Sequence, residues 1–315
     1  MGVSASVKRS KQWWLGLTLL CSIYGSGCGA ESSIATISAE SCATDPAFVW
    51  VPPGQFGRGS DQMERGYGYR ISAIAAADDK TSRVDAEQFL RKSGWFDREP
   101  QKAKVELPGV CFGRNLVTNQ QYQKFIQATG HRSPGISAVD YQRQGFLVHP
   151  YAEVKSFLWQ GEQFPEGEAE HPVVLVSYED AMTFAKWQGE QDGNVYRLPT
   201  ALEWEKAARG TDGRYFPWGN DWRDAGTNWG QDVAKGGGRT SRVGIYPLSR
   251  SIYGAEDMAG NVFEYTSTLR QLGRVSVLKG CSWDDSPGFC RAAYEHTRPV
   301  ASRHILFGFR LVRLK

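Results

Sequence analysis

The chain has no long run of one charge sign: 37 lysines and arginines face 34 acidic residues over 315 positions, a formal net charge of +3. Without a basic stripe there is no electrostatic footprint for a phosphate backbone, so a nucleic-acid partner is not expected. Histidine is scarce at five, with no His-x-x-x-His spacing, which gives an iron centre little support while leaving it open. The apolar stretch at residues 13–24 is too short to span a bilayer comfortably. Internal repeats, low-complexity tracts and a linker between two cores are also lacking, which favours one domain from about Cys42 to the C-terminus. What is plentiful is glycine (35) and tryptophan (11), in a chain 41% hydrophobic. That mixture predicts a loop-rich fold whose irregular backbone is anchored by large aromatic side chains.

The first 30 residues read as a targeting segment. Lys8, Arg9 and Lys11 precede the apolar stretch, and small residues follow it to Ala30. Two processing routes remain open: cleavage after Ala30, or lipidation of Cys28 in Gly25-Ser26-Gly27-Cys28. Either places the mature domain outside the cytoplasm, in the periplasm, with a membrane anchor in the second case. Cys21 and Cys28 then belong to the signal, and Cys42, Cys111, Cys281 and Cys290 lie where disulfides persist. Cys42 precedes the strand-like Phe48-Val49-Trp50-Val51 and Cys111 closes another such run, so a bridge between neighbouring strands is expected. Cys281 and Cys290 flank a polar loop they could close; a free reactive thiol at Cys290 is the competing reading.

Capping chemistry announces three helices. Thr118 with Gln121 satisfies two orphan backbone N–H groups ahead of Tyr122, Phe125 and Ile126, and Gly130 stops that helix. Ser177 with Asp180 opens a second carrying Ala181, Phe184, Ala185 and Trp187. Pro199-Thr200 with Glu203 opens a third carrying Leu202 and Trp204, ended by Gly210. Residues 61–100 read as an inserted loop with one short helix near 84–92, either functional or a surface decoration.

Collinear blocks run from about residue 46 to 313. They include Phe48-Val49-Trp50-Val51-Pro52-Pro53-Gly54, Val117-Thr118-Asn119, His171-Pro172-Val173 and Arg197-Leu198-Pro199-Thr200-Ala201-Leu202-Glu203-Trp204-Glu205. Further on come Phe216-Pro217-Trp218-Gly219, Gly260-Asn261-Val262-Phe263-Glu264, Gly280-Cys281-Ser282-Trp283 and Gly308-Phe309-Arg310. In this order they resemble the formylglycine-generating (sulfatase-modifying factor) superfamily. The resemblance implies an α+β fold, an irregular C-type-lectin-like variant with little regular secondary structure, and bound calcium. It implies a calcium ligand at Glu264 with the carbonyls of Ala259, Gly260 and Val262, oxygen donors that suit that ion. A second family site would begin at Asn228 with the carbonyl of Trp229, but its aspartate has no counterpart in residues 230–242.

The chain departs from the family where the chemistry lies. Members that make formylglycine carry two cysteines just after the Gly-Gly-Ser segment, thiolates that select copper(I). Here the first falls on Asp285, a hard ligand, and Cys290 better matches a Cys-Arg-Ala-Ala block, so copper and formylglycine synthesis are not expected. Around that position Ser282, Trp283, Asp284, Asp285, Cys290, Arg291, Arg298 and His304 are assigned by resemblance to a substrate groove. Ser282, Asp285 and His296 are the candidate catalytic residues. The run His296-Thr297-Arg298-Pro299 is similar to exported relatives lacking the cysteine pair, including the kind implicated in periplasmic maturation of pyoverdine. Two functions follow: an oxidoreductase-type maturation factor for a peptide-derived substrate, or a non-enzymatic lectin-like module binding an envelope protein or glycan.

Overall fold

The computed structural model describes residues 37–231 and 238–314. The targeting segment, including Cys21 and Cys28, lies outside them. Residues Thr36–Lys315 form one compact unit. Among the described residues no helix is long and apolar enough to cross a membrane.

In chain order the elements are α1 (Ala39–Ala43), β1 (Phe48–Val51), β2 (Gly54–Arg58), α2 (Gln62–Ala76), α3 (Lys80–Ser93), β3 (Ala103–Leu107) and β4 (Val110–Gly113). There follow α4 (Asn119–Thr129), α5 (Ala138–Gln144), α6 (Tyr151–Val154), α7 (Tyr178–Asp192), β5 (Tyr196–Arg197) and α8 (Ala201–Arg209). The last are β6 (Phe263–Arg270), β7 (Val275–Lys279), β8 (His296–Pro299), β9 (Phe307–Gly308) and β10 (Val312–Arg313). The strands are short and fall into three small sheets, ordered β1-β4-β10-β5, β2-β3 and β8-β7-β6-β9. Among these strands pairing is antiparallel except for β6 with β9, where Phe263 faces Phe307 and Glu264 faces Gly308. So much irregular backbone is held by a core rich in aromatic rings, among them Tyr122, Phe125, Phe184 and Phe309.

The three capping boxes form as their residues dictate. Thr118, Ser177 and Thr200 each accept from the N–H three residues on, and Gln121, Asp180 and Glu203 reach back. Gly130 stops α4 in the left-handed region, φ 68°, where a Cβ would be strained. Cys42 is bonded to Cys111, Cα atoms 5.4 Å apart. The bridge ties the helix α1, rather than a strand, to β4.

Residues 61–100 need correction. They form two successive helices, α2 and α3, and not a loop with one short helix. Gly66 and Gly68 lower the helix propensity of α2, and its buried face carries a glutamate, so neither propensity nor periodicity announces it. Packing holds it instead. Tyr69 and Phe96 join the main core. Gly68 lies so close to Arg291 that a Cβ there would meet its Nε at 2.6 Å. Beneath α2 three carboxylates and three cations are buried together. Arg209 bonds Glu64 at 2.9 Å and Glu205 at 2.9 Å. Arg291 bonds Glu99 at 2.5 Å and lies 3.7 Å from Glu64. Lys279 sits 3.5 Å from Glu205, an ion pair too long for a good hydrogen bond.

Candidate functional site

The loop after β7 turns through Cys281, held at φ 61° by a disulfide to Cys290, Cα atoms 4.8 Å apart. Both sulfurs are thereby removed as thiolate ligands or nucleophiles, which settles the free-thiol alternative for Cys290. The turn aims Ser282 at Asp285. The Ser282 backbone N–H donates to Asp285 Oδ2 at 2.8 Å, and its hydroxyl makes a short bond to the same oxygen. Gly230 N–H donates to the Asp285 carbonyl at 3.0 Å, and a Cβ on Gly230 would meet the Asp284 carbonyl at 2.8 Å. Asp285 keeps some solvent contact by surface area, yet protein surrounds its carboxyl. Burial pushes it up to about 7 against the pull of the Ser282 bonds, with Asp284 adding like charge and Arg298 opposing.

Trp283 anchors the loop, stacked on Phe157 with ring centroids 6.0 Å apart and against His149 at 5.0 Å. His149 is buried between two carboxylates: Nδ1 lies 2.7 Å from Glu153 and Nε2 3.1 Å from Asp284. Burial lowers its basicity, but the two carboxylates outweigh that and hold it above the ordinary imidazole value.

A second group of nominated residues gathers around Phe146. His296 stacks on Phe263 at 4.7 Å, its Nδ1 3.4 Å from the Tyr294 hydroxyl. His304 accepts from Leu306 N–H at Nδ1 (3.3 Å) and meets the Tyr141 hydroxyl at Nε2 (3.2 Å). Burial, reinforced by nearby cations, pushes both histidines down to about 3, so both are neutral. Arg298 lies 3.6 Å over the Phe146 ring. Among the described residues no hydrogen bond joins His296 to Ser282 or Asp285, so the three candidate catalytic residues form a pair and a separate histidine. Arg291 is no groove residue: fully buried, it faces Glu99 and the α2 backbone.

Sequence reasoning missed His149, Glu153, Tyr141 and Phe146. His149, Tyr141 and Phe146 lie more than a hundred residues upstream of the side chains they meet, Asp284, His296, Arg298 and His304, and the one local trace is His149 with Glu153 at helical spacing, i and i+4.

Four of the six donors inferred for calcium are already engaged. Both Glu264 oxygens are taken by the buried Arg310 guanidinium, at 2.5 and 2.7 Å, and a divalent cation would have to displace it. The Ala259 carbonyl already accepts from the Ser249 hydroxyl at 2.8 Å and from Thr227. Asn228 donates its amide to the Arg239 carbonyl, while its own carbonyl takes Asn261 N–H, and the Trp229 carbonyl takes Gln231 N–H. The carboxylate that resemblance reads as a metal ligand is an ion-pair partner. Incubating the mature protein with excess EGTA is therefore expected to leave its melting midpoint within about 1 °C, where loss of a tightly bound structural ion would lower it by several degrees. Among the described residues no group of three or more His, Cys, Asp or Glu is placed to hold a metal.

Comparison with known proteins agrees with this architecture. The sulfatase-modifying factor enzyme 1-like domain model matches residues 34–315. The chain is 30% identical over 247 residues to hercynine oxygenase of Mycolicibacterium smegmatis, covering 69% of this chain and 55% of that protein. It is 29% identical over 264 residues to inactive C-alpha-formylglycine-generating enzyme 2 of Mus musculus, covering 78% and 76%. It thus spans little more than half the length of the hercynine oxygenase. PvdO from Pseudomonas aeruginosa superposes with a TM-score of 0.60 at 19% identity, over 85% of this chain and 94% of that one, a likeness of fold. With the match spanning nearly all of the described unit, the chain belongs to the sulfatase-modifying factor enzyme 1-like family.

Proposed function

We propose that the protein is an exported, periplasmic maturation factor of the oxidoreductase type, acting on a peptide-derived substrate and not making formylglycine. One observation carries this reading: a Ser282–Asp285 pair occupies the position where formylglycine-forming members carry thiolate, and its carboxyl is pushed up to about 7. A carboxyl titrating near the working pH suits the taking and passing of a proton. In the proposed step the substrate loses two hydrogens from adjacent atoms, and dioxygen, as co-substrate, takes them up as hydrogen peroxide. Asp285, as the carboxylate, receives one hydrogen as a proton and passes it on to the peroxide, the other hydrogen leaves with the electron pair to dioxygen, and Ser282 orients the carboxyl through its two bonds. Relatives named as oxygenases support dioxygen as the oxidant and no more of the step than that.

Oxygen uptake by the mature protein, followed across peptides and cyclised peptide products, tests this. Asp285→Asn should lower turnover by about 10²-fold or more with little change in KM. Aldehyde formation on a sulfatase cysteine peptide would overturn the reading.

A second reading rests on the enclosure of the same site. Ser282 is fully buried and both neighbouring sulfurs are bonded, which suits a non-enzymatic binding module for an envelope protein or glycan. No oxygen uptake on any substrate, with partner binding equal in the parent and Asp285→Asn proteins, would favour it.

A further inference from the structure

Residues 145–149 cross β8 as a strap pinned at both ends. Before it, the Gln144 amide bonds the Arg303 carbonyl at 3.1 Å and accepts from Arg303 N–H at 3.2 Å. At its far end His149 is held between Glu153 and Asp284. The strap starts at Gly145, φ 71°, a conformation that favours glycine. Leu147 and Val148 point outward, 45% and 53% exposed, while Phe146 points in.

Phe146 fills a space shaped by other side chains. Its ring is stacked on Phe307 at 5.8 Å, lies 4.7 Å from His304 and 6.0 Å from His296, and carries the Arg298 guanidinium on one face. His296 and Arg298 are two residues apart on β8 and so share a face. Among the described residues each leaves one buried nitrogen without a hydrogen-bond partner, Nε2 of His296 and Nε of Arg298. Buried polar groups are ordinarily paired, so two orphaned donors beside one ring call for an acceptor. The Tyr294 hydroxyl lies 3.4 Å from Nδ1, and in the tautomer where it donates there the hydrogen of neutral His296 sits on Nε2, free to donate to a ligand. Arg298 adds the fork of N–H groups that matches a carboxylate.

We propose that the strap covers a binding site for a small aryl carboxylate, in which the ligand's ring takes the place of Phe146 and its carboxylate is held by Arg298 Nε and His296 Nε2. The site goes beyond the proposed chemistry, since it stands whether or not Asp285 turns over a substrate, and binding alone tests it. Ligand and Phe146 compete, so the strap must lift for the site to fill.

Two measurements on the full mature chain decide it. In the parent protein, saturating benzoate should speed chymotrypsin cleavage after Phe146 severalfold, and the neutral analogue benzyl alcohol should not. In Phe146→Ala, calorimetry should show benzoate binding on the order of tenfold more tightly than benzyl alcohol, a preference that Arg298→Gln abolishes in the same background. Equal affinities, a preference surviving Arg298→Gln, or cleavage indifferent to benzoate would each overturn the assignment. If Phe146→Ala does not fold, the cleavage experiment on the parent still decides.

Discussion

Arg291→Met is expected to destabilise the protein by about 3–5 kcal/mol, enough to remove much of the margin by which a domain stays folded. The side chain is fully buried, and its guanidinium binds Glu99 through two nitrogens at 2.5 and 3.1 Å. It also donates from Nε to the Gly288 carbonyl at 3.0 Å. Methionine restores the apolar volume but leaves the buried Glu99 carboxylate with the Ser60 hydroxyl as its one hydrogen-bond donor among the described residues, and removes one of the two cations that hold Glu64 ionised. Glu64 is already above the ordinary carboxyl range because burial outweighs Arg209 and Arg291. The cost is therefore that of a stranded charge and not of a lost contact. Adding Glu99→Gln should recover a large part of it, because the double variant buries one neutral amide in place of an unpaired carboxylate. Denaturant titration of the parent, both single variants and the double variant gives the cycle. A double variant no more stable than Arg291→Met would show that Arg291 acts by packing over Phe96 and Gly68.

That network also shows where sequence stops being informative. Helix α4 could be read from Thr118 and Gln121 because a capping box acts within four residues. Helix α2 could not, since Glu64 and Gly68 make sense only once Arg209 and Arg291, more than 140 residues away, arrive above them. The same limit governs the site. Ser282 and Asp285 are neighbours along the chain, so their pairing was foreseeable. His149 reaches Asp284 only through the folding of residues 138–157 against Trp283. Glu264 illustrates a subtler failure: its family block identifies a buried carboxylate correctly, but which cation answers it depends on Arg310 crossing from beside β9.

Asp285→Asn should stabilise the folded protein at neutral pH and do nothing at acid pH. In the unfolded chain the carboxyl ionises from about 3.8, whereas in the fold burial holds it up to about 7. Between those values the unfolded state has released a proton that the native state keeps, so stability falls as pH rises through that window and is level above it. The whole shift corresponds to about 4 kcal/mol, and partial solvent contact discounts it to roughly 2. The difference between variant and parent should accordingly grow from near zero at about pH 4 to roughly 2 kcal/mol at about pH 8. Other groups titrate in the same range with the opposite sign. His296 and His304, pushed down to about 3, make the parent less stable as pH falls below the ordinary imidazole value, because only the unfolded chain takes up those protons. They are common to both proteins and cancel in the difference. Asparagine keeps an oxygen to accept from Ser282, so the gain isolates the charge. A carboxyl that costs stability at the pH where the protein works, beside a serine it binds and a disulfide that fixes its loop, is what a reactive group looks like thermodynamically. If Asp285→Asn instead loses stability near neutral pH, the ionised carboxylate is bracing the loop, and the acid–base role falls with it.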